Sequence, residues 1–138
     1  MVLVIDASLA AAWFLPDEQN DPADEVMARL AKTPGRAPSL FWFETRNLFI
    51  MAERRGRLKP GEAALSMAQL RLFPIVDEGT GNDRQVIALA ERHGLSGYDA
   101  SYLALAVAKK LSLATLDKKL AAAARAEKLA VLGIGGTP

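Results

Sequence analysis

Residues 2–5, VLVI, form a short unbroken apolar run rich in β-branched side chains, and an acid, Asp6, follows at once. A strand apolar on both alternating faces belongs in a sheet covered on both sides, which is the usual setting of a parallel sheet. Parallel neighbours cannot be joined by tight turns, so helical crossovers must follow. The rest of the chain supplies them. Runs of strand type recur at 73–76, 113–116 and 129–132, and Arg36-Ala37-Pro38 leaves room for one more short strand.

Between these runs the spacing is helical. Asp6-Ala-Ser8 opens LAAAWFL, stopped by Pro16, and a polar loop over 17–21 leads to a helix near 22–32 with Ala23, Val26, Met27 and Leu30 on one face. Ser39 is placed to cap a helix over 40–55, which Gly56 ends. Pro60 suits the first turn of a helix running to about Arg71. Thr80-Gly81-Asn82-Asp83 resembles a capping box for a helix ending at His93 and Gly94. Further helices are expected over 98–110 and from Asp117 to about Glu127, with a loose tail over 133–138. The order predicts one α/β domain over 1–138, a short central parallel sheet between two helical layers.

Composition narrows the chemistry. At 138 residues the chain is long enough to bury a core without staples. It has no cysteine and one histidine, His93, which excludes disulfides, thiolate metal sites, cysteine nucleophiles and multi-histidine centres. A net charge of +1 does not advertise a nucleic-acid partner, which local patches or a metal would have to hold. There is no basic leader, and no apolar stretch approaches the roughly 18 residues of a membrane span, so a soluble, cytoplasmic protein is expected.

The acids are the informative residues. Asp6 and Asp117 each follow a strand directly, at the carboxyl ends where open parallel sheets form their ligand crevices. Asp99 falls in the first turn of the helix introduced by Ser96-Gly97-Tyr98. Glu44 interrupts LFWFETRNLF at 40–49, on a mostly apolar face with Leu40, Asn47, Leu48 and Met51. A carboxylate there is costly unless something pairs with or coordinates it. Plain structural roles exist: Asp6 and Asp117 are natural helix caps, and Asp99 complements a helix dipole. Those roles give no reason for four acids to face one crevice. Close carboxylates need protons or a cation between them, and oxygen-only ligands suit Mg²⁺ or Mn²⁺ over zinc.

Taken together, VLVIDAS at 2–8, the helix containing Glu44, LSGYDASYLALA at 95–106 and LATLDKKLAAAA at 113–124 resemble a PIN-domain ribonuclease of the VapC toxin type, over essentially the whole chain. The resemblance implies a PIN-like three-layer fold, an acidic cluster of Asp6, Glu44, Asp99 and Asp117, and Ser8 and Thr115 as hydroxyls orienting those acids, with Asn47 a weaker candidate. It implies a Mg²⁺-dependent endoribonuclease, Mn²⁺ being possible, that cleaves RNA with metal-activated water. It also implies a homodimer and a cognate VapB-like antitoxin, whose C-terminal segment sends a basic side chain toward the acids. Six of the nine aromatics fall between residues 13 and 49, which makes Trp13, Phe14, Phe41, Trp42 and Phe43 candidates for a partner groove. Consecutive aromatics fan over about 200° of a helix, so core packing competes for each. Lys118 and Lys119 beside Asp117 are the candidate RNA contacts, although paired lysines early in a helix are ordinarily solvated. His93 and the acids Asp77, Glu78 and Asp83 suit turn and helix-end duties.

Two other readings compete. Haloacid-dehalogenase-type enzymes place Asp-x-Asp after the first strand, where this chain has Asp6-Ala-Ser8, and the acidic pair of a receiver domain is absent too. A non-catalytic PIN-like scaffold that binds metal or protein would carry the same four acids.

Overall fold

The computed structural model describes residues 1–134. Five strands, β1 (Leu3–Ile5), β2 (Gly35–Ala37), β3 (Ile75–Asp77), β4 (Ser112–Thr115) and β5 (Val131–Gly133), pair in the order β3-β2-β1-β4-β5. Every pairing is parallel. Register sets Val4 against Arg36 on one side of β1, and against Leu113 on the other. The chain therefore leaves β1 in one direction for β2 and returns to its other flank at β4. Sheets of this kind open a crevice at that reversal, outside the carboxyl ends of the strands.

Seven helices cover the sheet: α1 (Ala7–Ala12), α2 (Asp21–Leu30), α3 (Leu40–Arg54), α4 (Glu62–Leu70), α5 (Asp83–His93), α6 (Gly97–Lys109) and α7 (Lys118–Ala126). Helices α1 and α2 meet β4 and β5, with α3 against α1 and α4 against α3. Helix α6 packs on β1 and β4, flanked by α5 and α7. The core is the sheet's apolar runs closed over by Leu9, Val26, Phe41, Phe49, Leu103 and Leu120, all fully buried. Among the described residues no helix is long and apolar enough to cross a membrane.

Several local expectations are corrected. Helix α1 stops at Ala12, and Pro16 opens a 3₁₀ turn, Pro16–Glu18, in place of a plain loop. Ser39 holds the N-cap position of α3, but its side chain makes no capping bond: its own backbone is helical and its hydroxyl donates to Asp77, 2.7 Å away. Pro60 lies just outside α4, whose cap is Gly61. Asn82, not Thr80, caps α5 by accepting from the Gln85 amide. The tail holds on longer than expected, since Gly133 pairs with Thr115 and the Ile134 amide donates to the Thr115 carbonyl at 2.9 Å. A side chain at Gly133 would lie 2.2 Å from that carbonyl, so only glycine lets β5 close on β4 there. Residues 135–138 of the expected loose tail lie outside the described residues.

The aromatics divide. Trp13 and Phe41 are core, which removes both from any partner groove: Trp13 stacks on Phe73 at 5.1 Å and donates its indole N–H to the Ala23 carbonyl, and Phe41 is fully buried. Phe14 packs against Phe49 and Phe73, and Trp42 lies between Phe41 and the Arg71 guanidinium, both half-buried. Of the five groove candidates, Phe43 alone is exposed.

Candidate active site

Asp6 follows β1 directly because β1 delivers the chain to the sheet edge and α1 starts there. Its Oδ1 accepts from the Leu9 amide at 3.0 Å, which caps α1, and from the Ser8 hydroxyl at 2.8 Å. Its Oδ2 accepts from the Thr115 hydroxyl at 2.5 Å. The same Thr115 oxygen receives the Asp117 amide at 3.0 Å, and Ser8 Oγ receives the Leu116 amide at 3.3 Å. The two hydroxyls thus bolt the β1 acid to the β4 turn. Asp117 caps α7, its Oδ1 accepting from the Lys119 and Leu120 amides. Asp99 stands in the first turn of α6, and Ser96 Oγ accepts from its amide.

Glu44 enters from α3. The buried ridge of that helix is Phe41, Thr45, Phe49 and Ala52, one position on from the face expected to be apolar. Glu44 therefore rides the helix's edge over the crevice, with Asn47 and Leu48 exposed beside it. Its partner is the Tyr102 hydroxyl, which donates to Oε1 at 2.6 Å. Tyr102 escaped the sequence reading. The signal was its place one turn after Asp99, on the same face of α6.

All four acids line one crevice of about 220 Å³, together with Ser8, Asn47 and Tyr102. A smaller concavity elsewhere, about 170 Å³ between the β3–α5 loop and α6, holds one acid, Glu78, already paired with Arg36 at 2.7 Å. Among the described residues, no cationic side chain lines the crevice. Burial pushes Asp6 up to about 6, against the hydrogen bonds from Thr115, Leu9 and Ser8, with the Asp117 charge adding to the rise. Burial also raises Glu44, opposed by the Tyr102 hydrogen bond and reinforced by Asp99. Asp99 is raised by burial and by Asp117, while Lys119 and Ser96 pull it back. Tyr102 is raised by its own burial and by Glu44, so it stays a hydrogen-bond donor.

As the side chains stand, no three acids among the described residues are gathered tightly enough to enclose an ion. The cause is visible: both Asp6 oxygens, one Glu44 oxygen and one Asp117 oxygen are held by protein donors. Glu44 Oε2 and Asp117 Oδ2 make no hydrogen bond with any described residue and remain available. A divalent cation fits this donor set, which offers hard oxygens only and repels itself without one. Asn47 lines the crevice, and its amide bonds no described residue. Lys118 and Lys119 are exposed on the first turn of α7, outside the crevice lining.

The PIN domain family matches residues 3–126. A protein of Pyrobaculum aerophilum named ribonuclease VapC3 is 32% identical over 124 residues, covering 88% of this chain and 93% of that one. The crystal structure of Mycobacterium tuberculosis VapC20, described as a sarcin–ricin loop cleaving toxin, superposes with a TM-score of 0.66 at 23% identity, over 89% of this chain and 95% of that one. A toxin–antitoxin complex from Klebsiella pneumoniae contains a chain with a TM-score of 0.60 at 20% identity, over 88% and 91%. On the match along nearly its whole length, with an acid-lined crevice at the sheet's topological reversal, this chain belongs to the PIN-domain family.

Proposed function

We propose that this PIN-domain protein is a metal-dependent endoribonuclease, the toxin of a toxin–antitoxin pair silenced by a VapB-like antitoxin and working in the cytoplasm as a homodimer. The observation that carries the reading is the crevice itself: four acids from the end of β1, α3, α6 and the β4–α7 turn, with no cationic side chain lining it among the described residues. PIN-domain nucleases in general depend on a divalent metal, and here Asp6, Glu44, Asp99 and Asp117 would hold it. Mg²⁺ is the expected ion, with Mn²⁺ able to replace it. Such an ion supplies an activated water and neutralises charge on the phosphodiester.

The chain's own groups do the positioning. Ser8 and Thr115 fix the Asp6 carboxylate, and Thr115 ties it to the Asp117 backbone. Tyr102 holds one Glu44 oxygen and leaves the other without a hydrogen bond from any described residue. Lys118 and Lys119, exposed on the first turn of α7 beside Asp117, suit contacts to substrate phosphates that position the strand without reading its sequence. Water is the nucleophile that fits, because the crevice offers no histidine pair for attack by a ribose hydroxyl; the products are then a 5′-phosphate and a 3′-hydroxyl.

The test is cleavage of total cellular RNA by purified, antitoxin-free protein in Mg²⁺, Mn²⁺ or EDTA, with 5′-end mapping. Discrete cuts bearing 5′-phosphates and lost in EDTA are expected. Metal-binding protein that cuts nothing would leave the fold as a scaffold, and cuts insensitive to EDTA would move the chemistry elsewhere.

A further inference from the structure

Beside the acid crevice lies a second concavity of about 410 Å³, walled by Leu40, Phe43, Glu44, Asn47 and Tyr98. Glu44 and Asn47 line both spaces, so the two are neighbours. The second one carries two large aromatics that the fold does not use. Phe43 on α3 is 60% exposed and Tyr98 in the first turn of α6 is 65% exposed. Neither packs against another ring among the described residues, in contrast to Trp13, Phe14, Phe41 and Trp42. The Arg46 guanidinium lies 5.2 Å from the centre of the Phe43 ring. Arg46 has no carboxylate partner among the described residues.

Two bare rings from different helices thus stand beside acids that would act on a phosphodiester, while the unpaired Arg46 guanidinium flanks the Phe43 ring and lines a separate concavity with Ile50, Glu53 and Met67. Every nucleobase has a π face, and single strands are held by stacking bases on aromatic side chains while cations follow the backbone. In a duplex those faces are covered by neighbouring bases. We propose that Phe43 and Tyr98 form a base platform, on which a nucleotide next to the scissile phosphate of single-stranded RNA stacks, with Arg46 meeting an adjacent phosphate. The inference rests on the ribonuclease reading of the crevice and adds to it the residues that seat a base beside the cut. Phe43, Tyr98 and Arg46 are positioning residues, since none lines the space between the acids.

The experiment measures kcat and KM in Mg²⁺ for wild type, Phe43→Ala, Tyr98→Ala and Phe43→Trp on a short single-stranded RNA with one mapped cut. A second substrate series replaces each nucleotide flanking the cut, in turn, by an abasic one. Each alanine variant is expected to lose about tenfold in kcat/KM, mainly through KM, while Phe43→Trp retains activity. At one flanking position the abasic RNA should slow wild type by a similar factor and leave the alanine variants no slower than before. The same RNA annealed to its complement should be a poor substrate. Alanine variants as active as wild type, or an alanine loss undiminished at every abasic position, would overturn the platform. Loss that tracks a change in oligomeric state on size exclusion, and persists on abasic RNA, would assign the surface to a second copy of the chain. Wild type that cuts no RNA would defeat the ribonuclease reading itself, whereas an active wild type with indifferent variants defeats the platform alone.

Discussion

Glu127 and Asp6 are both carboxylates beside helix ends, yet their surroundings drive them in opposite directions. Glu127 sits at the end of α7 with His93 Nε2 at 2.6 Å and Arg92 at 2.9 Å, and those hydrogen bonds hold it below the ordinary range. Asp17 is likewise lowered, by the Arg57 guanidinium 2.9 Å away, which also grips Glu18. These pairs fasten the end of α5 to α7, and the 3₁₀ turn to the α3–α4 connection. In the crevice the same chemical group is buried beside others of like charge, and Asp6, Glu44 and Asp99 all rise. Asp6 also caps α1, but carboxylates held where burial and repulsion oppose ionisation mark a place for a ligand of opposite charge.

The strongest way to break that contrast is Asp99→Asn. It should lower RNA cleavage at least a hundredfold, since even outer partners of metal ligands act on a scale of about 10–100-fold. The melting temperature in EDTA should not fall, because the change removes a repelled charge. Cleavage near wild type, or a clear loss of stability, would put Asp99 with the structural carboxylates. Tyr102→Phe comes next: removal of the hydroxyl that holds Glu44 should cost about tenfold in kcat and about 1 kcal/mol of stability, read by denaturant unfolding. An unchanged kcat would mean that Glu44 needs no such restraint.

The gentlest test is pH, where the two groups should carry opposite signs. The folded Asp6 carboxyl, at about 6, lies above its ordinary 3.8, so metal-free protein binds its proton more tightly folded than unfolded. Its burial therefore weighs against the fold above about pH 6, and that burden is relieved as pH falls toward 3.8. For Mn²⁺ binding, the same proton must leave, so affinity should be flat above about pH 6 and fall by up to tenfold per unit below it. Glu127 is depressed, so its stabilisation is present above the ordinary carboxylate range and is lost as pH falls through its lowered value. Glu127→Gln should thus destabilise at neutral pH by no more than about 1 kcal/mol, with the difference vanishing in acid. Mn²⁺ affinity independent of pH down to 5, or a Glu127→Gln deficit that persists in acid, would erase the distinction.

Much of this was legible in local pattern. The run VLVI at 2–5 could only be an internal strand, and Asp6 and Asp117 had to emerge at strand ends because an acid cannot continue a strand buried on both faces. Glycines at 94 and 133 were visible as letters, but only at Gly94 did its place after a helical run reveal the job, a left-handed cap. The aromatic cluster misled at Trp13 and Phe41. Burial depends on which side of a helix meets the sheet, and three consecutive rings on α3 leave that undecided by about a residue.

Local physics in the chain settled which segments are strands and helices, that the sheet is parallel, and that no thiol or paired-histidine chemistry is available, because those follow from neighbours and from composition. The tertiary structure alone decided that Glu44 answers to Tyr102, 58 positions away, that Thr115 joins Asp6 to Asp117, and that Phe43 and Tyr98 share one exposed wall. Those are distances between side chains on separate elements. They are set by how helices settle on the sheet, which no local spacing encodes.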